Sequence, residues 1–301
     1  MEMLEQVKTV EAHSKTFNAK DYLSLTKPRL SGLVIFTAGI GVYLAPGNLS
    51  YITAIISLVS TSLLVAGACA INCYIERDID KLMKRTSERP IPSGRINPLS
   101  ALLFGSTLVV GSLLVLLSQV NTLTATLGLI AAVTYIFLYT PLKRKSPTAV
   151  FVGAIPGAIP PLMGWTTVTN SVDPMGLILF ALLFVWQLPH FLSISMVYQE
   201  DYEAAGIKIY PTTSGVSSTK VWISIYTILL FATSLAPYFF GYKSFSYLLT
   251  VSFFGLAFSI FALIGLLKRE EELSDSKWAK SYFWGSLIYL PAIMSGLLVF
   301  K

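Results

Sequence analysis

Asn72, Glu76 and Asp80 recur at every fourth position at the close of a long apolar run, in the string Asn-Cys-Tyr-Ile-Glu-Arg-Asp-Ile-Asp that ends just before Lys81, Lys84 and Arg85. Four residues advance a helix by about 400°, so one amide and two carboxylates line a single face over about two turns. Oxygen donors set out in this way suit Mg²⁺, which takes one or two carboxylates and completes its shell with the oxygens of a substrate phosphate. The neighbouring cations suit the phosphate itself. The spacing points to a lipid diphosphate site at an aqueous-facing helix end. The plainer alternative is a charged loop beside a membrane, where such groups are costly unless solvated, paired or functional.

Four further strings carry groups of the same kind of interest. Leu25-Thr26-Lys27-Pro28-Arg29 puts a proline at a first helical turn between two cations. Tyr139-Thr-Pro-Leu-Lys143-Arg144 offers a hydroxyl and two more cations. Trp186-Gln-Leu-Pro189-His190-Phe191 sets an indole, an amide and an imidazole inside an apolar run, where an ionisable group is a functional candidate by default. Tyr198-Gln-Glu200-Asp201-Tyr-Glu203, with Lys208 beyond it, gathers three carboxylates, and Glu200 and Asp201 could hold a second Mg²⁺.

The elements that must position these groups are membrane helices. Of 301 residues, 54% are hydrophobic and only 13% charged, about half the charged share of a soluble domain. Apolar runs long enough to cross roughly 30 Å of hydrocarbon fall near 29–46, 51–75, 98–118, 122–140, 148–165, 174–198, 221–241, 245–267 and 281–300. Twenty of the 22 Lys and Arg residues precede or open the first run or lie after the second, fourth, sixth and eighth, leaving Lys243 and Lys301 on the other side. Because Lys and Arg concentrate in cytoplasmic loops, the N-terminus is expected in the cytoplasm and the C-terminus outside a cell membrane. Topology and attraction to anionic lipid account for the net charge of +6 without a nucleic-acid partner. Residues 1–24, which lack the apolar core of a cleavable signal, read as a cytoplasmic tail, and 25–301 as one transmembrane domain. Cys69 and Cys73, the only cysteines, read as small packing residues, with neither the number nor the spacing of a disulfide framework or zinc site. Pro156, Pro160 and Pro161 within one run free backbone carbonyls, which a cavity-lining helix tolerates.

Taken in order, these strings resemble the UbiA superfamily of intramembrane prenyltransferases. The likeness runs from Leu25 to about Pro211 and rests on Thr26 to Arg29, Asn72 to Asp80 with Arg85-Thr86 and Arg89-Pro90, and Tyr139 to Arg144. It continues through Pro160-Pro161-Leu-Met-Gly164-Trp165, Trp186-Gln187, Pro189-His190-Phe191 and Asp201-Tyr202 with Gly206. The resemblance implies an all-α integral membrane fold of nine transmembrane helices around a central cavity open to the cytoplasmic side. Glu76 stands where the family's first motif has Asp, one methylene longer. In place of the aspartate-rich second motif of quinone-type members this chain has His190, Tyr198, Glu200 and Asp201, which favours the haem-acting branch.

That branch implies transfer of a farnesyl group from farnesyl diphosphate to the 2-vinyl group of haem B, with Mg²⁺ as cofactor and Mn²⁺ as a substitute. It assigns Asn72, Glu76 and Asp80 to the metal. Lys27, Arg29, Arg77, Lys81, Lys84, Arg85, Tyr139, Lys143, Arg144, Trp186, Tyr198, Asp201 and Lys208 are candidates for substrate binding. His190 is the candidate either for contacting haem iron or for handling a proton. The expected partners are farnesyl diphosphate, haem B, the lipid bilayer and other membrane enzymes of the haem pathway. Two alternatives compete: a prenyltransferase for another aromatic or chlorin acceptor, and a haem or lipid carrier without chemistry.

Overall fold

A computed structural model describes residues 18–267 and 272–300. Among these residues every regular element is helical: α1 (Ala19–Leu25), α2 (Pro28–Leu44), α3 (Tyr51–Asp80), α4 (Pro98–Gln119), α5 (Thr122–Leu142), α6 (Ala149–Thr169), α7 (Pro174–Val197), α8 (Gln199–Ala204), α9 (Tyr210–Ser214), α10 (Val216–Phe239), α11 (Phe245–Leu267) and α12 (Glu272–Val299). Eight are long and apolar enough to cross a membrane, so the chain is a multi-pass membrane protein. The expected ninth span, α2, has 17 residues. At 1.5 Å per residue it is about 25 Å long, short of a full hydrocarbon core unless its flanks contribute. Among the described residues eight helices thus have the length of a full span, and α2 is a ninth, shorter apolar helix where the first of the nine runs was expected.

Local chemistry sets the helix ends. Ser50, Asn97 and Asn121 each accept a backbone N–H of the first turn that follows them, and Pro28, Pro98 and Pro174 open their helices where no N–H is needed. Asp173, just before α7, accepts from Ser171 Oγ at 2.7 Å and Trp165 Nε1 at 3.0 Å. These hydrogen bonds hold its carboxyl below the usual range and tie the end of α6 to the start of α7.

The helices pack through small residues. At the α3–α4 crossing a Cβ on Gly67 would lie 2.6 Å from the Gly105 carbonyl oxygen, so only glycine lets these backbones approach. Helices α6 and α7 are the most enclosed and pack on each other, with α2 against α6 and with α10 and α12 against α7. At the foot of α10 Lys220 is buried and ion-paired with buried Asp275 of α12. The sequence reading left both residues in a cytoplasmic loop; pairing offsets part of the cost of burying them.

Between α2, α3, α5, α6, α7 and α12 lies a cavity of about 310 Å³ with largely apolar walls. Gly153, Pro156, Gly157 and Pro160 of α6 line it, as their pattern predicts. Cys69 and Cys73 are free and buried, Cys69 against the cavity.

Candidate active site

α3 does not stop at 75 as its hydropathy suggests but carries on to Asp80, so Asn72, Glu76 and Asp80 form its last two turns. They are 1%, 3% and 0% exposed, which overturns the expectation of an aqueous-facing helix end. Burial of this kind requires partners, and each residue has a basic one. Lys27 Nζ donates to Asn72 Oδ1 at 3.1 Å, Lys143 is ion-paired with Glu76, and Arg89 Nη1 donates to Asp80 Oδ2 at 2.8 Å. Burial disfavours the Arg89 cation, but the Asp80 charge and hydrogen bond, together with the nearby Glu76 and Cys73, outweigh it and raise the Arg89 pKa above its ordinary value.

Neighbouring elements aim these groups. Lys27 sits before α2 with φ of 49°, a left-handed conformation uncommon outside glycine, and from there its amine reaches Asn72. Across the face, α5 loosens into a π-turn at Thr134–Tyr139, a distortion common at functional sites. It delivers Thr140, whose hydroxyl donates to the Tyr135 carbonyl at 2.8 Å and accepts from Asn72 Nδ2 at 3.1 Å. The Asn72 amide is thereby turned with Oδ1 toward Lys27. Tyr139, stacked on Tyr135, lies over Gly153 of α6, with Lys143 Nζ 5.9 Å from its ring centre.

The structure separates the remaining candidates. Arg77 and Lys81 lie one residue, about 100°, around the helix from Glu76 and Asp80. Arg77 donates to the Tyr74 carbonyl and stacks on its ring, and both cations approach exposed Asp78 at 3.8 Å, so neither joins the buried face. Asp201 accepts the backbone N–H groups of Lys84 and Arg85 at 3.3 Å each, while the Arg85 guanidinium stands 4.9 Å over Tyr198. The two carboxylate oxygens thus fasten the loop after α3 to α8. Glu200, Arg144, Lys84 and Lys208 are exposed. Arg29 stands at the cavity.

His190 and Trp186 line the same cavity one helical turn apart. The imidazole, 6% exposed, is stacked between Trp186 at 4.5 Å and Phe283 at 5.1 Å, and Ser286 of α12 holds its Nδ1 at 2.7 Å. The Trp186 indole donates to the Ser286 carbonyl at 2.8 Å. Three functional-looking residues were missing from the sequence-based candidates. Arg89 and Thr140 stood inside strings already singled out, but only folding shows that their side chains reach Asp80 and Asn72. Ser286 lies in the last span, where the sequence offers no motif.

Along α3 the cavity and the polar face form one stripe: Val65, Ala68 and Cys69 line the cavity, and Asn72, Glu76 and Asp80 continue it toward the charged end. Hard oxygen donors fit Mg²⁺, and Asp80 Oδ1, buried and without a hydrogen-bond partner, is an oxygen still available to it. Among the described residues no three His, Cys, Asp or Glu side chains surround one point, so water or phosphate oxygens would make up the rest of a Mg²⁺ shell here.

Comparison with known proteins agrees with this geometry. The model of the UbiA prenyltransferase family matches residues 33–287. A protoheme IX farnesyltransferase from Anaeromyxobacter dehalogenans is 45% identical over 278 residues, 92% of each chain. One from Aquifex aeolicus is 39% identical over 282 residues, 93% of this chain and 94% of its own. Among solved structures, a digeranylgeranylglyceryl phosphate synthase aligns with a TM-score of 0.77 at 20% identity, covering 93% of this chain and 98% of its own. A UbiA homologue from Archaeoglobus fulgidus bound to DMAPP and Mg²⁺ aligns at 0.68 and 19% identity, covering 93% and 99%. The structural likenesses establish the fold, and the sequence matches place the lineage: the chain belongs to the UbiA prenyltransferase family, among the protoheme IX farnesyltransferases.

Proposed function

We propose that the protein transfers a farnesyl group from farnesyl diphosphate to the 2-vinyl group of haem B, releasing diphosphate and forming haem O. The observation that carries this reading is the continuous stripe on α3, apolar in the cavity and polar at its end. A prenyl diphosphate has the same two-part character, a hydrocarbon chain ending in a dense anion.

Asn72, Glu76 and Asp80 would hold Mg²⁺ and, through it, the diphosphate. Mg²⁺, when bound, shares the negative charge that builds on the diphosphate as the allylic C–O bond breaks. Lys27, Arg89 and Lys143, already gathered at the buried face, supply fixed positive charge for the same oxygens, and Arg29 stands where chain and headgroup meet. Arginine can fork onto two phosphate oxygens, whereas lysine acts as a point charge. Arg77 and Lys81 are left out of this assignment.

The vinyl carbon attacks the allylic carbon as diphosphate leaves, and water adds at the adjoining carbon with loss of a proton. The apolar walls keep other water from the allyl fragment until the new bond forms. His190 belongs to the acceptor. Because Nδ1 is held by Ser286, Nε2 is the nitrogen left for haem iron or for the proton lost from the added water. A carrier without chemistry would leave the buried carboxylate face unexplained, and the relatives favour haem over another aromatic acceptor.

The test incubates membranes containing the protein with farnesyl diphosphate, Mg²⁺ and haem B and follows the mass of extracted haem. A product heavier by a farnesyl group and a hydroxyl is expected. EDTA should abolish its formation, and Mg²⁺ or Mn²⁺ should restore it. Full activity in thoroughly chelated membranes would remove the metal from the mechanism.

A further inference from the structure

The charged end of the bundle contains a second chamber of about 110 Å³, bounded by the loop between α5 and α6, the end of α7 and residues 207–210. It has room for a few water-sized groups, too little for a macrocycle or a fifteen-carbon chain. Lys143, Lys208, Tyr210, Ser146 and Ser195 bring two amines and three hydroxyls to its wall. Lys143 is already paired with Glu76, whereas Lys208 makes no ion pair among the described residues. Such a wall suits an anion that accepts hydrogen bonds.

Phe191 lines both this chamber and the larger cavity, so its ring forms part of the partition between them, and His190 beside it faces the larger one. A ligand reaching across this partition would have an anionic arm in the small chamber and an apolar body in the large one. Haem B has that shape, with two propionate carboxylates on the far side of the macrocycle from the 2-vinyl group.

We infer that the small chamber receives a propionate carboxylate of the acceptor, with Lys208 as its counter-ion. The inference rests on the reading of haem B as acceptor. It assigns each substrate its own anion position, the two adjoining at Lys143: the diphosphate binds at the α3 face, and the acceptor carboxylate binds beside α9. Anchoring the acid arm there directs the opposite edge of the ring, with the vinyl group, into the prenyl cavity.

The test uses purified full-length protein and two acceptors, haem B and its dimethyl ester, which lacks the negative charges. Wild type should bind and turn over haem B better than the ester. Lys208→Gln should raise the KM for haem B about three- to tenfold, the range for losing one partly solvated ionic hydrogen bond, and should erase the preference for the free acid. The KM for farnesyl diphosphate should change by less than about twofold. Lys208→Arg should recover the preference, and Lys145→Gln, at an exposed cation of the neighbouring loop, should keep it. The inference is overturned if Lys208→Gln retains the wild-type preference, if Lys145→Gln loses it equally, or if the KM for farnesyl diphosphate is the one that rises. Optical titration with the two acceptors reads the same preference without turnover. A wild-type protein that binds haem B over the ester but farnesylates neither would refute the proposed reaction and leave the carboxylate site standing.

Discussion

Asp80 combines complete burial, one oxygen bonded to Arg89 and one without a partner. Asp80→Asn keeps the shape but removes the charge, and losing such a stabilising group commonly costs about 10²–10³ in rate. Turnover is expected to fall by that factor while the protein accumulates normally in membranes; wild-type turnover at saturating Mg²⁺ would exclude Asp80 from the chemistry. Glu76→Asp, which shortens a buried side chain by one methylene, should keep much of the activity. His190 calls for a different measurement, because it lies on the cavity wall between two aromatic rings and away from the α3 carboxylates in the chain. His190→Ala should weaken haem binding or the hydration step while affinity for an unreactive farnesyl diphosphate analogue stays near normal. The reverse pattern would place the imidazole with the diphosphate. At this scale the sequence made the spacing of Asn72, Glu76 and Asp80 legible, because helical periodicity alone aligns them. It could not reveal that Lys27, Lys143 and Arg89 each pair with one of them, since those partners arrive from three other segments.

Helix boundaries were legible where an apolar run opened at a proline, the expected runs at 98–118 and 174–198 becoming Pro98–Gln119 and Pro174–Val197, and hydropathy alone bounded 245–267 as Phe245–Leu267. They were misread where a helix continues with polar residues that face the interior. α3 runs on to Asp80, and α10 and α12 begin before their apolar stretches, taking in Lys220 and Asp275. Hydropathy treats such residues as loop, and only tertiary pairing shows that they are helical. The residues 1–17 of the expected N-terminal tail lie outside the described residues. The α5 π-turn was hidden for a similar reason, as nothing in Thr134–Tyr139 distinguishes it from ordinary helix. Its position against α6 depends on Gly153, where a Cβ would approach the Tyr139 ring to 2.6 Å. Gly153→Ala should therefore displace Tyr139 and the segment that leads to Thr140 and Lys143. Overpacking of this kind costs about 1–3 kcal/mol, and activity should drop by more than the loss of folded protein accounts for. Equal losses in thermal stability and activity, with the KM for farnesyl diphosphate unchanged, would show that the π-turn has no part in placing the site.

For the molecule as a whole, the arrangement predicts a direction. The polar face, the small chamber and most of the cations lie at one end of the bundle, and the sequence places 20 of its 22 Lys and Arg residues on that side. Positive residues are retained in the cytoplasm during insertion, so both substrates' anionic groups should be met from the cytoplasmic face while the hydrocarbon chain lies within the membrane. The native cysteines are 1% and 2% exposed, which leaves a low background for single-cysteine labelling. Asn48, in the connection between α2 and α3, and Lys145, in the connection between α5 and α6, are both exposed and fall on opposite sides in this arrangement. In intact cells a membrane-impermeant maleimide should label Asn48→Cys and spare Lys145→Cys, and permeabilising the membrane should expose the second. Labelling of Lys145→Cys in intact cells would invert the topology, and the diphosphate would then have to be drawn from the opposite side of the bilayer.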